Sequence, residues 1–254
     1  MSLSAADVLK FDIPKYVDLL VSASREATDD FLKATTGSAR RYFQFGVAID
    51  IDYVREMASV EVVPPTNCSG RVLDRDKTVV AMCGMATARK GFDIFYDAAK
   101  ALPQAEFLWV GPLTGDGVGK SVIKAYRAEC LDNFFVTNET PNPYAYMNLC
   151  DVFVLTAVED PNPLVVPEAL ALGKRVVSFQ TTGGSWRWTR RFGYSLSGSI
   201  STQRLVAFLQ KMLTTKGGRS WTPQEADDFR AVVDTGAKMP MLRQQLSELV
   251  GAPV

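Results

Sequence analysis

The chain has 254 residues, of which 47% are apolar, enough to bury a sizeable core and too many for disorder to be the main state. Its 28 basic residues balance 28 acidic ones, which excludes the charge excess behind non-specific binding to nucleic acid or anionic lipid. Histidine is absent, which excludes Ser-His-Asp and Cys-His catalysis, His-ligated metals and any imidazole base from this chain.

From Val17 the pattern predicts strand, helix, strand: residues 17–23, then 24–36 capped by Ser24 and closed by Gly37, then 41–45 before Gly46. Residues 56–77 lose periodicity, carry Pro64-Pro65-Thr66-Asn67 and read as a linker. Beyond it, apolar strands near 78–83, 105–110, 133–137, 151–156 and 175–179 alternate with helices at 92–102, 119–130, 143–149 and about 163–172. That alternation predicts an α/β fold, a Rossmann-like parallel sheet with helices on both faces. Past Arg191, segments 202–213, 223–233 and 242–250 predict trailing helices packed as a layer.

Cys68, Cys83, Cys130 and Cys150 show no CxxC spacing, and without a secretory leader they read as reduced thiols of a cytosolic protein. No apolar run approaches the roughly 20 residues that span a bilayer.

In open parallel sheets ligands bind beyond the carboxyl ends of the strands, here 84–90, 111–117, 138–142 and 158–163. Gly84-Met85-Ala86-Thr87 lacks the G-x-G-x-x-G spacing of a dinucleotide site, which argues against an oxidoreductase. The segment 111–117 reads either as a phosphate cradle or as a surface loop. Asp160 and Glu168 bracket a helix start, with Asn162 as N-cap and Pro163 at the first helical position. A later start, with Pro167 first, is the alternative. The N–H groups around Leu164 and Val165 then form an anion site suited to a diphosphate, and the flanking carboxylates accept hydrogen bonds from sugar hydroxyls.

These residues resemble the family 4 retaining glycosyltransferases, whose C-terminal domain carries an acidic residue, seven intervening residues and a glutamate at this place. The resemblance extends to Val79–Gly84 followed by Arg89-Lys90-Gly91, to Phe107–Gly111, to Asp151–Thr156, and to Ala169–Val177 followed by Gly183-Gly184. Val21–Ser24 and Phe45-Gly46-Val47 resemble the last unit of that family's N-terminal domain. The pattern departs at Met85, where the family often has arginine, at Pro163, where it has glycine, and at Ser185–Trp188, where it has a glutamate. Trp186, Arg187 and Trp188 either stack on a sugar or base or pack under the trailing helices.

The resemblance implies the C-terminal half of a GT-B glycosyltransferase: residues 1–70 a remnant of the N-terminal domain with its hinge, and 71–254 the donor-binding domain. It implies transfer of a sugar, with retention, from a nucleoside diphosphate sugar to an acceptor that is a glycan, a lipid or a protein. Glu168 would bind the ribose. Asp160, or Glu159, would hold the donor sugar, and Lys90 with Arg89 would neutralise the diphosphate leaving group. Gly84, Asn162, Pro163, Leu164 and Val165 would line the donor, with Asn138 and Asn142 beside the base. The catalytic residues are then Asp160 and Lys90. Neither metal nor cofactor is implied, nor any nucleic-acid partner. The expected location is cytoplasmic, with peripheral attachment at the inner membrane face left open. The alternative is a non-catalytic nucleotide-sugar-binding module served by a separate N-terminal acceptor domain.

Overall fold

The computed structural model of the protein describes residues 18–34, 41–113, 117–180, 184–214 and 220–251. The chain forms two compact units, residues 1–50 together with 226–254, and residues 51–225. In the first, β1 (Leu20–Ser22), α1 (Arg25–Ala34) and β2 (Tyr42–Gln44) form the predicted unit, the strands parallel with Leu20 opposite Tyr42. Ser24 Oγ accepts from the Ala27 amide at 3.1 Å, capping α1 as expected. The expected strand start at Val17 and helix closure at Gly37 lie outside the described residues.

The second unit opens with α2 (Ile51–Ala58), which the sequence reading did not predict. Ile51, Val54 and Ala58 form its buried face, at the spacing an amphipathic helix requires. The chain then alternates through β3 (Val79–Cys83), α3 (Phe92–Ala101), β4 (Glu106–Val110), α4 (Gly117–Glu129), β5 (Phe134–Val136), α5 (Pro143–Met147), β6 (Val152–Val154), α6 (Val165–Ala171) and β7 (Arg175–Phe179). Next come α7 (Ser185–Phe192) and β8 (Tyr194–Leu196), neither of which the sequence reading predicted.

The sheet order is β5-β4-β3-β6-β7-β8 with every pair parallel. This is the doubly wound arrangement, and its order reverses between β3 and β6, the place at whose carboxyl ends such sheets bind ligands. Every residue of β4 and β7 is buried, as expected of strands covered on both faces. Phe92, Phe95, Tyr96, Phe107, Trp109 and Phe134 form one aromatic cluster, with Phe92 edge-on to Trp109 at 4.9 Å between centroids.

At the opposite end of the sheet, Glu106 is fully buried and held by Arg71 Nη2 at 2.6 Å and Lys77 Nζ at 3.3 Å. Asn67 organises the turn before Arg71, its Oδ1 accepting from the Ser69 and Arg71 amides, and its Nδ2 donating to Asp132 O at 3.0 Å. These contacts carry Cys68 to the end of α4, where it forms a disulfide with Cys130, their Cα atoms 5.6 Å apart. That corrects the expectation of four reduced thiols. A pair 62 positions apart has no local spacing signature, and only Cys83 and Cys150 are free.

The C-terminal helices are α8 (Thr202–Met212), α9 (Pro223–Val233) and α10 (Thr235–Val250). α8 packs on α3, and Arg175 Nη1 donates to Met212 O at 3.1 Å. α10 starts well before the expected Leu242, because Asp234 caps it through the Gly236 amide at 2.9 Å and the helix continues through Pro240. Ile49 N donates to Val233 O at 2.8 Å and Thr235 N to Ile49 O at 2.9 Å, so α10 belongs with residues 1–50. α8 lies in the second unit; the compact units divide at 50/51 and 225/226, and the sequence reading set one division at 70/71. No helix among the described residues is long and apolar enough to cross a membrane.

Candidate functional site

The candidate site is built on loops at the carboxyl ends of β3, β5 and β6. After Cys83 the chain enters Gly84, whose carbonyl accepts from Trp109 Nε1 at 2.8 Å. Gly111, just past β4, has φ +137°, and a Cβ there would lie 2.3 Å from Gly84 O. The two loops thus meet backbone to backbone, which only glycine at 111 permits. Gly91 ends the 84–91 loop at φ +67°, where a Cβ would lie 2.0 Å from Thr156 O. Thr156 Oγ1 donates to Lys90 O at 3.0 Å and Val158 N to Arg89 O at 2.9 Å. These contacts stitch the loop after β3 to the chain leaving β6.

The stitching brings Lys90 Nζ to 2.5 Å from Asp160 Oδ2, with the side chains only 19% and 11% exposed. Two residues expected to act together therefore do meet. Arg89 binds the neighbouring residue, Nη1 donating to Glu159 O at 3.1 Å. The exposed Leu164 and half-buried Val165 lead into α6.

The start of α6 differs from the sequence reading. Leu164 occupies the N-cap position and makes no side-chain cap bond, so Asn162 and Pro163 both precede the helix. Pro167 falls in the first turn, where the helix asks nothing of its missing N–H, so it breaks no bond. The first helical bond runs from Glu168 N to Leu164 O at 3.1 Å. The amides of Leu164 and Val165 lie ahead of it.

Glu168 is joined to a residue that the sequence reading did not single out: Tyr144 on α5 donates its hydroxyl to Oε1 at 3.0 Å. Burial raises the carboxyl pKa and the Tyr144 hydrogen bond opposes that rise. The phenol is itself raised, first by burial and then by the charge of Glu168. Tyr53 packs edge-on against Tyr144 at 6.2 Å between centroids. Cys83 lies within electrostatic reach of both Glu168 and Lys90, and burial pushes its thiol up to about 12. A signal for Tyr144 existed in the sequence, since it sits in the first turn after Asn142-Pro143 on the same edge of the sheet.

Asn142 caps α5, its Oδ1 accepting from Ala145 N at 3.3 Å, while its Nδ2 donates to Met57 O at 2.8 Å. Both ends of the amide are thus engaged within the protein. Asn138 adopts φ +59° and pairs with Gly111 in an isolated bridge. Of the segment 111–117, residues 114–116 lie outside the described residues, as does Gly183. Trp188 stacks on Phe192, and Phe192 on Trp221, while Arg187 covers Trp186 at 5.2 Å.

A parallel sheet of this order, with glycine-tight loops and a charge pair at its switch point, defines a Rossmann-like α/β domain. Residues 76–190 match the family model of glycosyl transferases, group 1. Among curated proteins none matches the chain. Among solved structures, sucrose-phosphate synthase from Thermosynechococcus elongatus is similar at TM-score 0.76 and 17% identity, over 98% of this chain and 63% of that one. HepE from Anabaena in complex with UDP-glucose is similar at TM-score 0.72 and 17% identity, over 96% of this chain and 68% of that one. Trehalose-6-phosphate synthase OtsA is similar at TM-score 0.67 and 15% identity, over 97% and 62%. At these identities the likeness establishes the fold. The chain spans 63% of the length of the sucrose-phosphate synthase.

Proposed function

We propose that this chain carries the donor-binding half of a glycosyltransferase that moves a sugar from a nucleoside diphosphate sugar to an acceptor with retention. The observation that carries this reading is the Lys90–Asp160 pair at the switch point of the sheet, beside Glu168 on α6. An ammonium has three donors, so Lys90 can keep Asp160 and still meet diphosphate oxygens. Arg89 adds charge from the same loop, and the amides of Leu164 and Val165 add donors at the start of α6. Asp160 holds a donor-sugar hydroxyl, with Glu159 beside it, and Glu168 takes the ribose hydroxyls.

Gly84 lets the backbone approach the donor, Asn162 and Pro163 shape the turn into α6, and Asn138 and Asn142 border the base. In the reaction the bond from the sugar C1 to the diphosphate oxygen breaks as the acceptor oxygen bonds C1 on the same face. The acceptor proton passes to the leaving diphosphate. Lys90 and Arg89 answer the charge that develops there, so the scheme invokes neither metal nor cofactor. HepE, in complex with UDP-glucose, supports a uridine nucleotide as the first donor to try.

A thermal-shift panel of UDP, GDP, ADP and TDP sugars against the protein and Glu168→Ala tests the reading. One base is expected to stabilise the protein, and the substitution to weaken that effect. No stabilisation by any of the four would sink it. A second reading is a nucleotide-sugar-binding module served by a separate N-terminal acceptor domain. Turnover by this chain alone rejects that reading, and binding without turnover supports it. A cytoplasmic location, with the inner membrane face open to peripheral attachment, belongs to the proposal.

A further inference from the structure

Tyr144 stands outside every role assigned above, yet it makes the one side-chain hydrogen bond described for Glu168. Its place is fixed from three sides. Pro143 starts α5 in front of it, Asn142 ties that start to the end of α2 through Met57 O, and Tyr53 of α2 packs on its ring. The hydroxyl therefore reaches Glu168 from a braced position, bridging α5 to α6. A carboxylate has two oxygens, and a bond to Oε1 restricts the rotamer and leaves Oε2 able to accept from a ligand.

We propose that Tyr144 is a positioning residue: by occupying Oε1 of Glu168 it fixes the carboxylate so that Oε2 receives the vicinal hydroxyls of the donor's ribose. The inference rests on the donor-site reading and adds to it the residue that acts through Glu168. The groups facing Glu168 are Tyr144 from α5, with Tyr53 of α2 behind it, and Cys83 at the end of β3, which also feels Lys90. Burial raises the pKa of Glu168 and the Tyr144 bond works against that rise. Without the bond, Glu168 protonates at a higher pH and loses a hydroxyl acceptor sooner on acidification.

The experiment is calorimetric titration of the protein and of Tyr144→Phe, which keeps the ring on Tyr53, with UDP and with 2′,3′-dideoxyuridine 5′-diphosphate at pH 8 and pH 5.5. Tyr144→Phe is expected to weaken UDP roughly tenfold. The dideoxy analogue should bind both proteins equally, and the UDP deficit should be larger at pH 5.5. An equal loss for both nucleotides would mean that Tyr144 shapes the pocket or touches the base, and would overturn the proposal. So would no loss at all. If the unsubstituted protein binds neither UDP nor any other nucleoside diphosphate, the donor reading fails and this one with it. UDP binding that is indifferent to Tyr144→Phe defeats this one alone.

Discussion

Lys90 Nζ lies 2.5 Å from Asp160 Oδ2, and the two side chains, 70 positions apart, neutralise each other where the sheet order reverses. The pair is mostly withdrawn from water, at 19% and 11% exposure, so each charge depends on the other more than a surface pair would. The loop after β3 and the chain leaving β6 are thereby joined through side chains as well as through the backbone bonds at Thr156 and Val158.

Lys90→Met and Asp160→Asn should each lower stability by about 1–3 kcal/mol, because each leaves its partner poorly solvated. The double variant should lose less than the sum of the two. Chemical denaturation of the four proteins closes the cycle, and strict additivity would show that the two charges do not interact.

Glu168 shows the opposite economy. Its folded pKa is raised above the unfolded value of 4.5, so its contribution to stability is fully present below pH 4.5 and is lost as pH rises through the folded pKa. Glu168→Gln, which keeps an oxygen for Tyr144, should therefore unfold at a higher temperature than the parent at pH 7. The difference should vanish below about pH 4.5, where both forms are neutral. The same variant should bind nucleotide more weakly, trading function for stability. Melting curves across pH check the sign.

Gly91→Ala should be among the most damaging single methyl additions in the molecule. The position has φ +67° and the new Cβ would lie 2.0 Å from Thr156 O, so strain and backbone displacement add. A loss of about 2–4 kcal/mol is expected, together with disturbance of the Lys90–Asp160 pair, measured by denaturation.

The Cys68–Cys130 bond predicts that an unfolded, unreduced sample takes up alkylating reagent at Cys83 and Cys150 only. After reduction all four cysteines should react, as read by intact mass. Across a separation of 62 residues, closing the loop is worth about 4 kcal/mol in the chain-entropy model, so reduction should lower the melting temperature clearly. Disulfides are rare in reducing compartments, and four alkylated cysteines in protein trapped directly from cells would fit the cytoplasmic reading.

The central sheet was legible because parallel strands buried on both faces read as short apolar runs, Val79–Cys83 and Glu106–Val110 among them. What escaped was less apolar or less local. α7 carries Arg187, Arg190 and Arg191, and in the half-exposed edge strand β8 the sequence Tyr-Ser-Leu shows no apolar run. α10 was expected only from Leu242, after a polar break, whereas the Asp234 cap starts the helix at Thr235 and it runs on through Pro240. In the site, Lys90, Asp160 and Glu168 were visible through contiguous motifs. The Tyr144–Glu168 bond spans 24 positions on two different helices, and only the packing of those helices on the sheet discloses it.

The disulfide also changes what the polypeptide is as a connected object. Between Cys68 and Cys130 the backbone is a closed covalent ring that contains β3, α3, β4 and all of α4, with Lys90 on it. A protease that cuts once inside that ring releases nothing. The nicked molecule keeps its mass on a non-reducing gel and separates into two pieces only when thiol is added.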